Sequence, residues 1–421
     1  MTRTILPTSG GNPLHILEIE TFGRGGLIHY AYNLSLALAD RQHRVTLVTA
    51  DAYELEGRPL PTGVEVVRHF ARRSRRLAER RFPKGLLALY RKVEAVLDAR
   101  RLASLVRRLR PDVLHLHCTN PAALFHLRAL AGLGIPLVAT AHVVTPHEPI
   151  RFQGPVYRSI HRLPGRIIAH SRFDRQRLVD EFAVDPGRVA VIPHGEYGFF
   201  ERVGAEGSAL DRAEARRGLG LDEDGDSEDG DSKDRGVVLF FGYIREYKGL
   251  DLLLEAWPTV AAACPGARLV VAGDPVQLGP GRRRELEDWA QRVGAVHRFG
   301  YIPFEEVGRY FAAADVLVMP YRHISQSGVL YLALSLGLPV VATRVGALPE
   351  LLSDGQSALL VPPEDPSALA HAVARLLADG ALRERLAAGG RRLAEEHSWP
   401  AIAEQTEEVF RGLIGAHPGS S

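Results

Sequence analysis

Cysteine is nearly absent from this chain, with only Cys118 and Cys264 in 421 residues. Two thiols cannot build a disulfide framework, so a reduced, cytoplasmic chain is expected. No run of about 18 apolar residues occurs, which excludes a transmembrane helix. Residues 1–13 lack the apolar segment of a signal peptide, so no leader is expected. There is no Gly-x-Ser-x-Gly nucleophile elbow and no Gly-x-x-x-x-Gly-Lys-Ser/Thr phosphate loop, so neither of those chemistries is expected. Net charge is also scarce, at +2, which taken alone argues against nucleic acid or membrane as a partner.

What is present is an ordinary globular composition, 46% hydrophobic and 24% charged, over a length suited to two or three domains. The near-neutrality is a cancellation. Residues 68–110 hold fifteen Lys/Arg and three acids, a balance of +12, while residues 222–234 hold eight acids and Lys233, a balance of −7. The acidic run has no large apolar residue, cannot offset its ordering entropy by burial, and is expected to be a disordered connector. The basic stretch differs, because Leu86, Leu87, Leu89, Tyr90, Val93, Val96 and Leu97 recur at helical spacing, followed by Leu102, Leu105, Val106 and Leu109. One face of these helices is expected on a core. The arginines opposite form either a solvated face or a dock for an anionic membrane surface, where each basic residue contributes about 1 kcal/mol. No aromatic platform accompanies them, so nucleic acid is not expected.

Strand signals at 14–19, 44–49, 64–67, 113–117, 137–141, 167–170 and 189–193 alternate with helical segments such as 29–39 and 172–182. After the acidic run the pattern restarts, with strands at 237–241, 269–272, 297–299, 316–319, 340–342 and 358–361. Helical segments follow at 250–263, 282–292, 305–313, 329–336, 366–378, 381–396 and 401–414, with a break at 397–400. This predicts an α/β chain of two Rossmann-like, doubly wound parallel-sheet domains, with a ligand cleft at the carboxyl ends of the strands.

Chemistry is expected at those strand ends. The loop Gly23-Arg-Gly-Gly26 lets backbone N–H groups approach a phosphate or sugar, or is a tight turn without a ligand. It is not a dinucleotide fingerprint, since Ile28 stands where a third glycine belongs. In Phe241-Gly-Tyr-Ile-Arg-Glu-Tyr-Lys-Gly249, Arg245 and Lys248 form a cation pair suited to a diphosphate, unless they are plain surface charges. Ser325-Gln-Ser-Gly328 offers hydroxyls and N–H groups at a helix start, for an anion or for simple capping. His142 follows a strand and points into the cleft. His115 and His117 share a strand face beside Cys118, but no second cluster with zinc spacing completes a site, so no metal is expected.

Together these segments resemble the retaining, nucleotide-sugar-dependent glycosyltransferases of family 4 (glycosyl transferases group 1), with the two-domain GT-B architecture. The likeness is carried by the turn at Lys248-Gly249, Val271-Ala-Gly-Asp274, Phe299-Gly-Tyr301, Ala314-Asp-Val-Leu-Val-Met-Pro320, Gly337-Leu-Pro-Val-Val-Ala-Thr343 and Gly346-Ala-Leu-Pro-Glu350. In the first half it is carried by Gly25-Gly26, His115-x-His117, Ala139-Thr-Ala-His142 and Ile192-Pro-His-Gly195. The resemblance implies an acceptor domain over 1–195, a linker over 196–235, a nucleotide-sugar-binding domain over 236–396, and a helix over 397–421 that crosses back to the first domain. It implies catalytic roles for His142, at the donor sugar, and for Arg245 and Lys248, on the leaving diphosphate. Donor-binding positions would be Gly25, Gly26, Gly242, Gly273, Tyr301, Ile302, Ser325, Gln326, Ser327 and Gly328, with Tyr301 and Ile302 against the nucleobase. Neither metal nor cofactor is implied, and the acceptor would be a glycan or lipid-linked intermediate.

One departure stands out. The family usually carries two glutamates eight residues apart before the Gly-x-Pro-Val-Val segment, and here those positions are Ile324 and Leu332. Neither accepts a hydrogen bond. The chain therefore reads as a variant subgroup, with a non-catalytic donor-binding protein, or an epimerase or phosphorylase on the same fold, as the alternatives.

Overall fold

Runs such as Val237-Val-Leu-Phe-Phe241 are apolar on both strand faces, and only a sheet covered on both sides satisfies them. The computed structural model describes residues 11–71, 73, 74, 77, 83–117, 121–144, 154–197, 211–221 and 236–416. The acidic run at 222–235, Cys118, most of the residues between 72 and 82, and the tail from 417 lie outside the described residues. The chain divides into two units, Met1–His194 with Trp399–Ser421, and Gly195–Ser398.

The first unit is built on seven parallel strands in the order β3-β2-β1-β4-β5-β6-β7. They are β1 (His15–Ile19), β2 (Arg44–Ala50), β3 (Val64–Phe70), β4 (Val113–Leu116), β5 (Leu137–Ala141), β6 (Arg166–Ala169) and β7 (Val189–Val191). Helices α1 (Gly26–Asp40), α2 (Lys84–Leu109), α3 (Ala123–Ala131), α4 (Gly154–Arg162) and α5 (Arg172–Phe182) connect them. The strand order reverses between β1 and β4, which is where a sheet of this type binds ligands. Glu18 sits opposite His115 in the register of that pair.

The terminal helix Trp399–Gly415 belongs to this unit. Its Trp399, Ile402, Ala403 and Phe410 share one core with Tyr30, Leu34 and Leu38 of α1 and with Ile16, Val113 and Val138 of the sheet. Glu407 fastens it further, accepting from Arg41 Nε and from Arg411 Nε, each at 2.6 Å, with His43 at 3.3 Å. The expected break at 397–400 is present but shorter, at His397 and Ser398, and Trp399 and Pro400 already begin this helix. Pro400 lies in its first turn, where a missing N–H leaves no helical bond unmade.

The second unit has six parallel strands in the order β10-β9-β8-β11-β12-β13. These are β8 (Val237–Phe241), β9 (Arg268–Gly273), β10 (Val296–Phe299), β11 (Val316–Met319), β12 (Val340–Thr343) and β13 (Leu359–Val361). Its helices are α6 (Arg212–Gly218), α7 (Leu250–Ala263), α8 (Pro280–Arg292), α9 (Phe304–Ala313), α10 (Gly328–Ser335), α11 (Leu348–Leu351), α12 (Pro366–Ala378) and α13 (Gly380–Glu396).

Two expectations need correction. Within the proposed linker 196–235, residues 211–221 are part of the second unit: Ala215 and Leu221 are buried in its core, and Arg216 Nη2 donates to Asp315 at 2.8 Å. The charged sequence hid a short helix that buries Ala215 alone, with Leu221 buried just after it. Likewise, α2 is one 26-residue helix, and half of its apolar row is uncovered. Leu87, Leu102, Leu105 and Val106 are buried, whereas Leu86, Leu89, Val93 and Leu97 are 44–60% exposed.

Candidate active site

In the second unit, β8 ends in a turn whose shape is set by close backbone approaches. A Cβ on Gly273, at φ 155°, would fall 1.8 Å from the Gly242 carbonyl oxygen, and one on Gly249, at φ 66°, 2.0 Å from that of Pro320. Only glycine fits at either place. The packed turn carries Arg245 and then a short 3-10 helix, Glu246–Lys248. Lys248 is buried, with Nζ 5.2 Å over the Tyr321 ring. That Nζ is also 3.3 Å from where a Cβ on Gly242 would stand. The acid between the two cations is drawn elsewhere, since Glu246 accepts from Arg282 Nε at 3.0 Å. Among the described residues neither Arg245 nor Lys248 is ion-paired, and the buried Arg245 Nε has no hydrogen-bond partner. Burial lowers the pKa of Lys248, and Arg245 adds to the effect. A buried lysine and a half-buried arginine, neither with a counter-ion among the described residues, make a site suited to an anion.

The segment 325–328 leads into α10. Ser327 stands at the N-cap but makes no capping bond; its side chain is hydrogen-bonded to Tyr321 instead. Plain capping is therefore not its role. Ser325 is also buried, and Gln326 Oε1 accepts from the Ser327 N–H at 3.2 Å. Ile324 and Leu332, at the positions where the family carries glutamates, lie in the apolar core of the unit. Tyr301 is 43% exposed, whereas Ile302 packs in that core near Phe304 and Tyr310. A cavity of about 910 Å³ bounded by Arg212, Arg216, Asp315 and Arg391 opens at the amino ends of the strands. That is the wrong end of such a sheet for its ligand.

In the first unit, the glycine loop is held by carboxylates. Glu20 accepts from the N–H of Phe22 at 2.5 Å and of Gly23 at 2.7 Å, and Glu54 accepts from that of Gly25 at 2.7 Å. Glu54 also meets His29 at 2.8 Å. Gly25 and Gly26 thus open α1, but two of the loop's N–H groups counted on for a phosphate, those of Gly23 and Gly25, are already engaged.

Between this loop and the terminal helix lies a cluster that sequence reasoning caught only in part. His142 is buried and both ring nitrogens are in use: Nδ1 faces His170 Nε2 at 3.0 Å, and Nε2 faces His117 Nδ1 at 3.3 Å. Tyr30 packs edge-on against it, with centroids 4.7 Å apart. Glu18, unremarked in the sequence, joins His115 and His117 so that one donor atom from each lies within 4.8 Å of the others. All three are fully buried and hydrogen-bonded together, and no open coordination position faces solvent, unlike a catalytic metal site. Strand alternation could have flagged Glu18 as inward-facing; its partners, 97 and 99 residues away, could not be read.

Residues 24–195 match the family model described as Glycosyltransferase Family 4, and residues 235–379 the one described as Glycosyl transferases group 1. The D-inositol 3-phosphate glycosyltransferase of Nocardioides sp. (strain ATCC BAA-499 / JS614) is 32% identical over 326 residues, 71% of this chain and 67% of that protein. The chain thus spans about two thirds of that relative's length. Sucrose-phosphate synthase from Thermosynechococcus elongatus superposes over 96% of this chain and 100% of its own, with TM-score 0.71 and 22% identity. Anabaena HepE in complex with UDP-glucose superposes over 95% and 100%, with TM-score 0.71 and 18% identity. These two share the fold. With both halves matched by their models and a relative at this identity, the chain belongs to the group 1, family 4 glycosyltransferases.

Proposed function

We propose that the chain moves a sugar from a nucleoside diphosphate sugar to an acceptor, with retention and without a metal. The observation that carries this is the pair at the end of β8, Lys248 buried and Arg245 half-buried, with no carboxylate on either among the described residues. A diphosphate gains negative charge as the sugar leaves, and preorganised cations stabilise that charge more than they stabilise the bound donor. The complex of Anabaena HepE with UDP-glucose supports a donor of this class. Retention follows from front-face attack assisted by the leaving diphosphate, with His142 at the donor sugar. His142 can reach a sugar hydroxyl only by giving up one of its two ring contacts.

The acceptor reading rests on α2. Its exposed row of Leu86, Leu89, Val93 and Leu97 stands on a helix that also carries Arg91, Lys92, Arg100 and Arg101, which suits an anionic membrane and a lipid-linked acceptor. D-inositol 3-phosphate, after which the Nocardioides relative is named, is the soluble alternative. A second reading, donor binding without turnover, is favoured by Ile324 and Leu332, whose apolar burial leaves no carboxylate there for the donor.

A screen of nucleotide sugars by thermal shift tests the donor, since a ligand at 100 times its Kd stabilises by about 2.7 kcal/mol. Turnover of the donor that shifts Tm, with either acceptor, then separates enzyme from binder. No shift with any nucleotide sugar would sink the proposal.

A further inference from the structure

The geometry of the histidine cluster fixes its proton count. A string of contacts runs from the Ile192 carbonyl to His170 Nδ1 (3.0 Å) and from His170 Nε2 to His142 Nδ1 (3.0 Å). It continues from His142 Nε2 to His117 Nδ1 (3.3 Å) and from His117 Nε2 to Glu18 Oε2. Both ends are acceptors, a carbonyl and a carboxylate. Four contacts need four hydrogens, and three neutral imidazoles carry only three. The string therefore holds one extra proton.

The carbonyl end also sets the direction. His170 donates from Nδ1 to Ile192, His142 from Nδ1 to His170, and His117 from Nδ1 to His142. What remains is the contact between His117 and Glu18, and the extra proton lies there. His115 does not alter the count, because it meets Glu18 through Nδ1 at 2.9 Å and the Thr140 hydroxyl through Nε2 at 2.7 Å. Burial, reinforced by neighbouring histidines, pushes His142 and His170 well below the ordinary imidazole range and keeps the proton off those rings. Burial and then His115 pull His117 below the ordinary imidazole range against the upward pull of Glu18; titration alone would leave the ring neutral, and it is the hydrogen count of the string that puts a proton at the contact. At Glu18 burial raises the pKa, but His115 and His117 outweigh it and hold the carboxyl at about 2. Ring and carboxylate bind the proton as a pair. Among the described residues, the other titratable groups facing the string are Tyr30 of α1, 4.7–5.4 Å from three of its rings, and His194 after β7, 5.2 Å from His170. From the terminal helix, Trp399 packs on Tyr30 and Phe410 on His115, and neither titrates.

We infer that Glu18 is a positioning residue: through His117 it holds one buried proton and thereby fixes His142 as its Nδ1–H tautomer. The catalytic part of this inference rests on the reading that His142 works at the donor sugar; the proton count does not. A string fixed at both ends cannot reverse, so whichever ring contact His142 gives up to a sugar hydroxyl, its Nδ1 side is the donor and its Nε2 side the acceptor.

Glu18→Gln separates the proton from the fold. Its amide can donate to His117 Nε2 while its oxygen accepts from His115, so every contact survives with one proton fewer. The test is the 15N spectrum of the full chain with labelled histidine at neutral pH. The expected result is Nδ1–H at His142 in both proteins, and an extra, exchange-protected proton at the His117–Glu18 contact in the wild type alone. Glu18→Leu, which leaves His117 Nε2 without a partner, should give mixed His142 tautomers and turn over at least tenfold more slowly than Glu18→Gln. Equal proton counts in wild type and Glu18→Gln, an Nε2–H tautomer at His142, or stoichiometric zinc in the purified protein would each overturn the inference. If Glu18→Leu does not fold, the first two spectra still decide. A chain with no transferase activity but with the extra proton would refute the proposed function while leaving the string intact.

Discussion

At the scale of single residues, the site depends on a few groups held away from water. Replacing Lys248 by alanine should lower turnover by about 10²-fold, the usual scale for one preorganised charge contact at a transition state. A change below threefold would remove Lys248 from the chemistry. Because burial lowers its pKa in the free protein, a diphosphate entering beside it should raise that pKa again. Binding should then take up protons, and affinity should fall as pH rises through the free-protein value; calorimetry in buffers of different ionisation enthalpy reads both. Gly273→Ala should cost about 3 kcal/mol in urea unfolding, because the new methyl group collides with the Gly242 carbonyl. Arg245, Lys248 and both glycines could be found in the sequence because they follow a long apolar strand at once. Glu18 could not, because its meaning comes from a parallel register that sets it opposite His115, far along the chain.

At the scale of elements, the strands and most helices were legible because hydrophobic period and glycine punctuation agree. What period could not tell was which face of α2 is covered, since a stripe made for a core and one made for a membrane repeat alike. Leu86, Leu89 and Val93 changed together to serine should leave the unfolding midpoint nearly unmoved, as all three are exposed. The same change should abolish flotation with anionic liposomes. Retained flotation would assign binding to other residues. Glu407 gives an acid-side prediction. Burial raises its pKa, but Arg41, Arg411 and His43 outweigh that and bring it to about 2 from 4.5. Its contribution to stability is thus present above pH 4.5 and is lost as pH falls toward 2. Glu407→Ala should cost about 3 kcal/mol at neutral pH and flatten this acid limb in denaturant titrations, because it removes a buried carboxylate from two half-buried arginines.

At the scale of the whole molecule, near-zero net charge says little, since the basic and acidic stretches that cancel lie in different parts of the chain. The division into two units was legible from the restart of the strand pattern. The exact membership of 211–221 was not, because a short charged helix with one buried apolar residue, followed by Leu221, looks like a connector. Ending the chain at Ser398 should leave the 195–398 unit protected in hydrogen exchange while the first unit opens. Trp399, Ile402 and Phe410, all buried in the first unit's core, would be gone. Equal protection in both units would show that the helix is dispensable.

That last helix also sets an order of assembly. A ribosome makes these seventeen residues after the whole second unit, and they complete the unit whose strands it made before that one. The intervening unit can close during synthesis, at about 5–20 residues per second. The first unit must wait, with the apolar face of α1 uncovered, until that helix emerges. Loss of the helix should therefore harm the first unit more than the second, and the first unit without it is the form that chaperones should meet.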